Sequence, residues 1–299
     1  FWAWGDTTLP EYPLGVFHTT AATTSTRPLK SFQPPLRVSF DYFTDEAGRP
    51  RGVARMPGEG PTWISGVIAL PDATGQEKLV AAYRKIEPPL ETYEIGLCVW
   101  DDDTANFQKH RVLWNKDDSS SEPPPAPEGH PVIRHTEEGK VWVLFGDPFP
   151  ALRCPAHFEA WRNPDTWETL QPQKAVLSAS GKRQITPHRG SISWNRFRQR
   201  WVAVLVEQGG DPSFLRELWY AESESPHGPW GPAVKVLSHQ NYSFYNPKLH
   251  PRLTPKGSPV LLFEGTYTRQ FADDPAPTPR YDYNQILYRL DLDDPKLGP

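Results

Sequence analysis

Between residues 188 and 238 the chain alternates apolar and polar positions in four short runs, each closed by a turn signal. The runs cover 189–194, 201–206, 215–222 and 233–237. Trp201, Ala203 and Leu205 fall on one side of a period of two, the repeat of a pleated strand. Gly228 and Pro229, inside SPHGPW, supply the backbone angles and the missing N–H that end one strand and start the next. Four antiparallel strands in roughly fifty residues is the size of one propeller blade.

Similar groups recur along the chain. Runs at 1–5, 16–24 and 36–43 predict a blade that lacks its innermost strand. Runs at 63–70, 78–84, 93–100 and 107–113 predict a complete one. A third is expected from 131–135, 140–145, 157–161 and a strand near 175–177. The last, from 248–253, 259–263 and 285–292, lacks a fourth strand. The expectation is one all-β domain, a five-bladed β-propeller with blades at 1–50, 62–116, 130–178, 188–238 and 244–295. Chain upstream of Phe1 is expected to supply the missing strand material. Residues 117–129, rich in charge, Ser and Pro, cannot bury a core and predict a surface connector. A two-sheet sandwich is the alternative, but it does not predict the shared register of acids described below.

Composition sharpens this reading. The 35 Pro and 21 Gly call for many short loops, and the 12 Trp, 14 Phe and 11 Tyr favour strands and furnish stacking surfaces. A formal charge of −4 with no basic run gives no support to nucleic-acid binding, and no apolar segment is long enough to span a bilayer. Cys98 and Cys154 read as a buried thiol and a loop thiol rather than a bridge. The chain opens at Phe1 without an initiator Met, so a processed amino terminus is expected. Fold and aromatic content together carry the expectation of a secreted or periplasmic location.

The candidate chemistry is a set of acids at one register. The second strands are expected at 1–5, 78–84, 140–145, 201–206 and 259–263. Four of them are followed by an acid, namely Asp6, Asp147, Glu207 and Glu264, while the second blade holds Tyr83, Arg84 and Lys85 there. In an up-and-down blade the end of the second strand shares a rim with the start of the first. The acids are therefore expected beside His188, Arg189, Tyr245 and Asn246, at the mouth of a channel. A single acid after a strand is most often a turn residue, yet four at one register favour a site. Glu217 and Glu222, inside a strand, read as solvated positions, and Asp101 to Asp103 as a solvated turn without calcium-loop spacing.

Other candidates to bind substrate are His18, Arg84, and the Arg280, Tyr281 and Asn284 of TPRYDYNQ. Each has a structural counterpart reading, as a packed strand histidine or a loop anchor. No pair has zinc spacing and no cofactor or nucleophile-elbow motif occurs, so no cofactor is expected; the one ion the fold would admit is a calcium in its channel.

The segment YAESESPHGPW, with the early GDT, central GDP and later VEQG acids, resembles five-bladed β-propeller glycosidases of the kind found in glycoside hydrolase families 43, 62 and 117. The resemblance covers most of the chain as architecture and these short motifs in detail. It implies a hydrolase of poly- or oligosaccharides in which Asp6 is the base, Asp147 tunes the acid and Glu207 is the acid. The chain departs from the family pattern where Thr7, not Pro, follows Asp6, and Glu264 competes with Glu207 for the acid role. Inverting hydrolysis needs two such carboxyl groups roughly 6.5–9.5 Å apart, one to activate water and one to protonate the leaving oxygen. Rim Trp and Tyr would stack on sugar faces. The rival readings are a non-catalytic propeller that binds glycan or protein, and a lyase of uronates using His188, Tyr245 and Arg189.

Overall fold

The structure, a computed structural model, describes residues 1–9, 12–16, 18–118, 122–209, 214–269, 271–272 and 283–298. Almost all regular structure is β, in five successive antiparallel sheets of three or four strands, the five-blade arrangement of a β-propeller. By contacts the chain divides into two compact units. The first comprises Phe1–Ser25, Val38–Phe145 and Leu152–Thr169, and the second Thr26–Arg37, Gly146–Ala151 and Leu170–Pro299.

The first sheet joins β1 (Trp2–Trp4), β4 (Thr20–Thr23) and β5 (Asp41–Tyr42), with a separate ribbon of β2 (Thr7–Leu9) and β3 (Tyr12–Val16). The second is a full meander of β6 (Thr62–Pro71), β7 (Glu77–Glu87), β8 (Glu91–Asp101) and β9 (Asn106–Asn115). The third has β10 (Val132–His135), β11 (Val141–Gly146), β12 (Pro150–Pro155) and β13 (Glu168–Thr169). A small ribbon, β14 (Val176–Leu177) with β15 (Gln184–Ile185), precedes the fourth sheet. That sheet runs β16 (Pro187–Asn195), β17 (Arg200–Glu207), β18 (Glu217–Ser223), β19 (Val234–Ser238), and the fifth β20 (Ser243–Leu249), β21 (Val260–Thr268), β22 (Tyr283–Asp291).

Several expected strands take another form. The run at 157–161 is not a strand but the helix α1 (Phe158–Trp161), capped where His157 Nδ1 accepts the Ala160 N–H at 3.2 Å. Its Phe158 and Trp161 rings stack one helical turn apart, so an apolar pair at i, i+3 had passed for alternation. The third sheet therefore closes with β13, and the strand near 175–177 belongs to the separate ribbon. The run at 16–24 breaks at Thr19, whose φ is +55°. Residues 251–253 form a 3₁₀ turn, and the strand expected at 248–253 starts instead at Ser243. Cys154 is buried within β12 rather than in a loop, and both cysteines are free.

The cores follow from the strand alternation. In the first unit Val80, Leu97, Val143, Phe145, Leu152 and Trp161 pack together beside a second cluster around Met56, Ala81, Tyr83 and Phe107. In the second unit Val202, Val204, Val206, Leu218, Tyr220, Leu261 and Phe263 form one core. Each such side chain contributes about 1.5–3 kcal/mol on burial. Close backbone approach is fixed by glycine at two telling places. A Cβ on Gly96 would lie 2.5 Å from the buried Tyr83 ring, and one on Gly190 would lie 2.5 Å from the Val204 carbonyl and 2.9 Å from Pro148.

Candidate functional site

In the first unit Asp6 follows β1. Its Oδ1 accepts the Trp63 indole N–H at 2.7 Å, a partner on β6 that sequence reasoning had not supplied. The surrounding protein raises the Asp6 carboxyl above its ordinary value by burial, and the Trp63 hydrogen bond works against that. The residue itself is solvent-accessible, so a positioned carboxylate with proton affinity above the usual aspartate faces water. His18 lies in the same unit, with Nδ1 buried and without a hydrogen-bond partner among the described residues. Burial, then the charges of Arg55 and Lys85, hold its imidazole below the ordinary pKa. Arg84 is occupied by a bidentate pair with Glu128, both contacts at 2.6 Å, and by Thr92 at 3.4 Å.

The second unit gathers four of the expected residues. Asp147, just beyond β11, accepts from Arg189 Nη1 and from the Gly190 backbone N–H, each at 2.7 Å. The bare Gly190 permits that approach, since a side chain there would strike the Val204 carbonyl. Arg189 also stands beside Tyr245, whose ring lies 5.6 Å from that of His188. Phe214 and Phe271, both exposed, flank these rings at 6.3 and 5.7 Å from His188 and Tyr245 respectively. The result is a charged pair beside a wall of aromatic edges, a surface suited to a polar ring with one apolar face. His188 Nδ1 is buried without a partner among the described residues; burial, then Arg189, lower its pKa, and Asp147 opposes them.

Glu207, the last residue of β17, sits in a different network. Its Oε2 accepts from Arg183 and from the Trp219 indole N–H, the latter at 3.0 Å. Arg183 also reaches Glu217 at 3.0 Å, and Lys235 meets Glu217 at 3.0 Å. Glu217 is thus buried and doubly paired rather than solvated. Burial opposes its ionisation, but Lys235 and Arg183 outweigh it and hold the carboxyl below its ordinary value. Glu222 departs from the solvated reading in the same way, accepting from Arg198 at 2.6 Å and Tyr220 at 2.7 Å. Arg183 had no signal in the sequence, because a two-residue ribbon gives no period to place it.

Glu264 does not end its strand. It is the fifth of nine residues in β21, opposite Lys248 and 3.2 Å from His250 Nε2. Burial pushes its pKa up, but His250, Gln285 and Lys248 together hold the carboxyl below the ordinary value. Asn246 is exposed with φ +49°, in the bulge between Tyr245 and Lys248. Asn284 lies on β22 with its amide 3.5 Å from the Tyr267 carbonyl, and Arg280 and Tyr281 fall outside the described residues. Among the described residues no group of three or more His, Cys, Asp or Glu is placed to hold a metal ion, and no helix is long and apolar enough to cross a membrane.

These groups set an acid-side stability limit. His18, His188 and His250 all have folded pKa values below the unfolded 6.5, so the unfolded chain binds more protons as pH falls through that range. Glu217 and Glu264, held low when folded, lose their contribution further down; Asp6, held high, works the other way. The expected result is a Tm that drops by several degrees between about pH 7.5 and 4.5. A flat or rising Tm in differential scanning calorimetry would contradict it.

No protein-family model matches this chain, and no curated protein does. Solved structures similar to it include an exo-1,5-alpha-L-arabinanase from a bovine ruminal metagenomic library, 13% identical over 84% of this chain and 85% of that one, with a TM-score of 0.46. An N-acetylgalactosamine deacetylase from F. plautii is 12% identical over 82% and 78%, with a TM-score of 0.42. An endo-1,5-alpha-L-arabinanase from Thermotoga petrophila RKU-1 is 15% identical over 76% of this chain, which spans 55% of that enzyme, with a TM-score of 0.40.

Proposed function

We propose that this chain is a glycoside hydrolase that cleaves a polysaccharide or oligosaccharide with inversion. The observation that carries the proposal is Asp6, a solvent-accessible carboxylate fixed through one oxygen by Trp63 and raised in proton affinity. A base that activates water needs that combination of position and basicity. Asp147, held by Arg189 and Gly190 beside exposed aromatic rings, is the tuning carboxylate, and sugar hydroxyls meet the Arg189–Tyr245 edge. Glu264 is ill suited to donate a proton near neutrality, because its neighbours keep it ionised. The acid role therefore goes to Glu207. Arg183 would have to release Glu207 for that carboxyl to face a leaving oxygen. His18, whose Nδ1 has no partner among the described residues, is the further substrate-binding group, Arg84 being held by Glu128, and a secreted or periplasmic setting fits a polymer substrate.

The test is a panel of plant, algal and bacterial polysaccharides, with product analysis and the anomeric configuration read by NMR. Glu207→Gln should slow substrates with poor leaving groups by about 10²–10⁴-fold and spare activated aryl glycosides. If Glu264→Gln shows that dependence and Glu207→Gln does not, the acid has been misassigned. A second reading, elimination from uronates, draws on His188, Arg189 and Tyr245 being side by side. It requires an unsaturated product that absorbs in the ultraviolet. Glycan binding without either product would leave a binding module.

A further inference from the structure

The first unit carries an open polar pocket, of about 430 Å³, lined by the exposed His110, Arg111 and Arg162 together with the half-buried Glu159 and Asn163. It is built by an irregularity in β9, the edge strand of its sheet. Leu97 pairs with Arg111 and Cys98 with Lys109, which leaves His110 as the extra residue of a bulge. In a regular strand Lys109 and Arg111 would share a face; the bulge breaks that parity. Lys109 accordingly meets Glu94 at 2.6 Å, whereas His110 and Arg111 both line the pocket. The opposite wall comes from α1 and the turn after it. There the Arg162 guanidinium lies over the Phe158 ring at 5.5 Å, and the His110 ring lies 5.7 Å from the same phenyl.

The charges of this pocket are unbalanced. Among the described residues neither Arg111 nor Arg162 makes an ion pair, whereas Arg49, Arg84 and Arg153 of the same unit do. The one carboxylate in the lining is already engaged: Glu159 accepts the Ala73 backbone N–H at 3.0 Å and meets His157 at 3.4 Å. Both guanidinium charges reach His110, whose imidazole is lowered by burial first and then by Arg162 and Arg111. Two planar guanidinium forks from different elements line this one pocket, and together they offer donors for three oxygens of a tetrahedral group rather than the two of a carboxylate.

We propose that the pocket bounded by the β9 bulge and α1 binds a tetrahedral oxyanion, sulfate or phosphate, between Arg111 and Arg162. This site stands apart from the proposed hydrolysis and does not depend on it. The test is calorimetric titration of the whole chain with inorganic phosphate, inorganic sulfate, glucose 6-phosphate and glucose 6-sulfate, at constant ionic strength. Binding with Kd near the millimolar range is expected, weakened at least about tenfold in the Arg111→Gln/Arg162→Gln double variant and strengthened in Glu159→Gln. Arg134→Gln, a surface control, should leave it unchanged. Tighter binding of the two esters than of the free ions would assign the site to a sugar-borne group, and equal binding to the free ion. If no anion binds, or the double variant binds as well as the parent with an unchanged melting curve, the proposal is overturned. A shift of the His110 ring resonance on adding phosphate, absent in the double variant, would place the anion in this pocket.

Discussion

Asp6→Asn is expected to lower turnover of a cleaved glycan by about 10²–10⁴-fold while Tm and glycan binding stay close to the parent values. The substitution keeps the volume, and the amide oxygen can still accept the Trp63 N–H that Asp6 now accepts at 2.7 Å. What disappears is the capacity to take a proton from water. A change confined to kcat, with the affinity for glycan retained, is the mark of a group used in the transition state and not in ground-state binding. The pH profile adds an independent reading. Because burial raises Asp6 above 3.8, the acid limb of the parent's activity should fall at a higher pH than an ordinary aspartate would give. Full activity of Asp6→Asn would end the hydrolase reading.

Much of this was legible in the chain, and the parts that were not have physical causes. The second and fourth sheets were read almost strand for strand, because long runs such as β7 and β17 carry a strong apolar pattern between clear turns. Helix α1 was missed since four residues are too few to separate a period of two from one of 3.6. β20 was misplaced because Asn246 and Pro247 read as a turn, whereas they sit in a bulge within the strand. The same tertiary effect moved Glu264 into mid-strand and buried Glu217. Register alone nominates Asp6, Asp147 and Glu207 as candidates, but their partners Trp63, Gly190 and Arg183 lie 57, 43 and 24 residues away from them, and no local pattern reports such pairs.

The largest stability effect is expected not at any of these acids but at Lys85, which the sequence placed only as a gap in their register. Its side chain is fully buried on β7, and its ammonium donates to the carbonyls of Met56, Gly58 and Gly60 at 3.3, 3.1 and 2.9 Å. The Thr62 hydroxyl stands at 3.4 Å. The loop can close this tightly because Gly60, with φ +72°, lies where a Cβ would be 2.1 Å from the Ile86 carbonyl. Burial lowers the pKa of Lys85, and the nearby Glu94 charge counters it, so the ammonium is costly to bury and is kept by its ring of oxygens. Lys85→Met removes the charge while filling much of the same volume, and strands three carbonyls with no donor in reach. About 3–5 kcal/mol of destabilisation should follow, read as a lower midpoint in guanidinium unfolding. Lys116→Met, which breaks an exposed pair with Glu87, should barely move that midpoint. If the two variants lose equal stability, the carbonyl ring around Lys85 is not what holds residues 56–62 against β7.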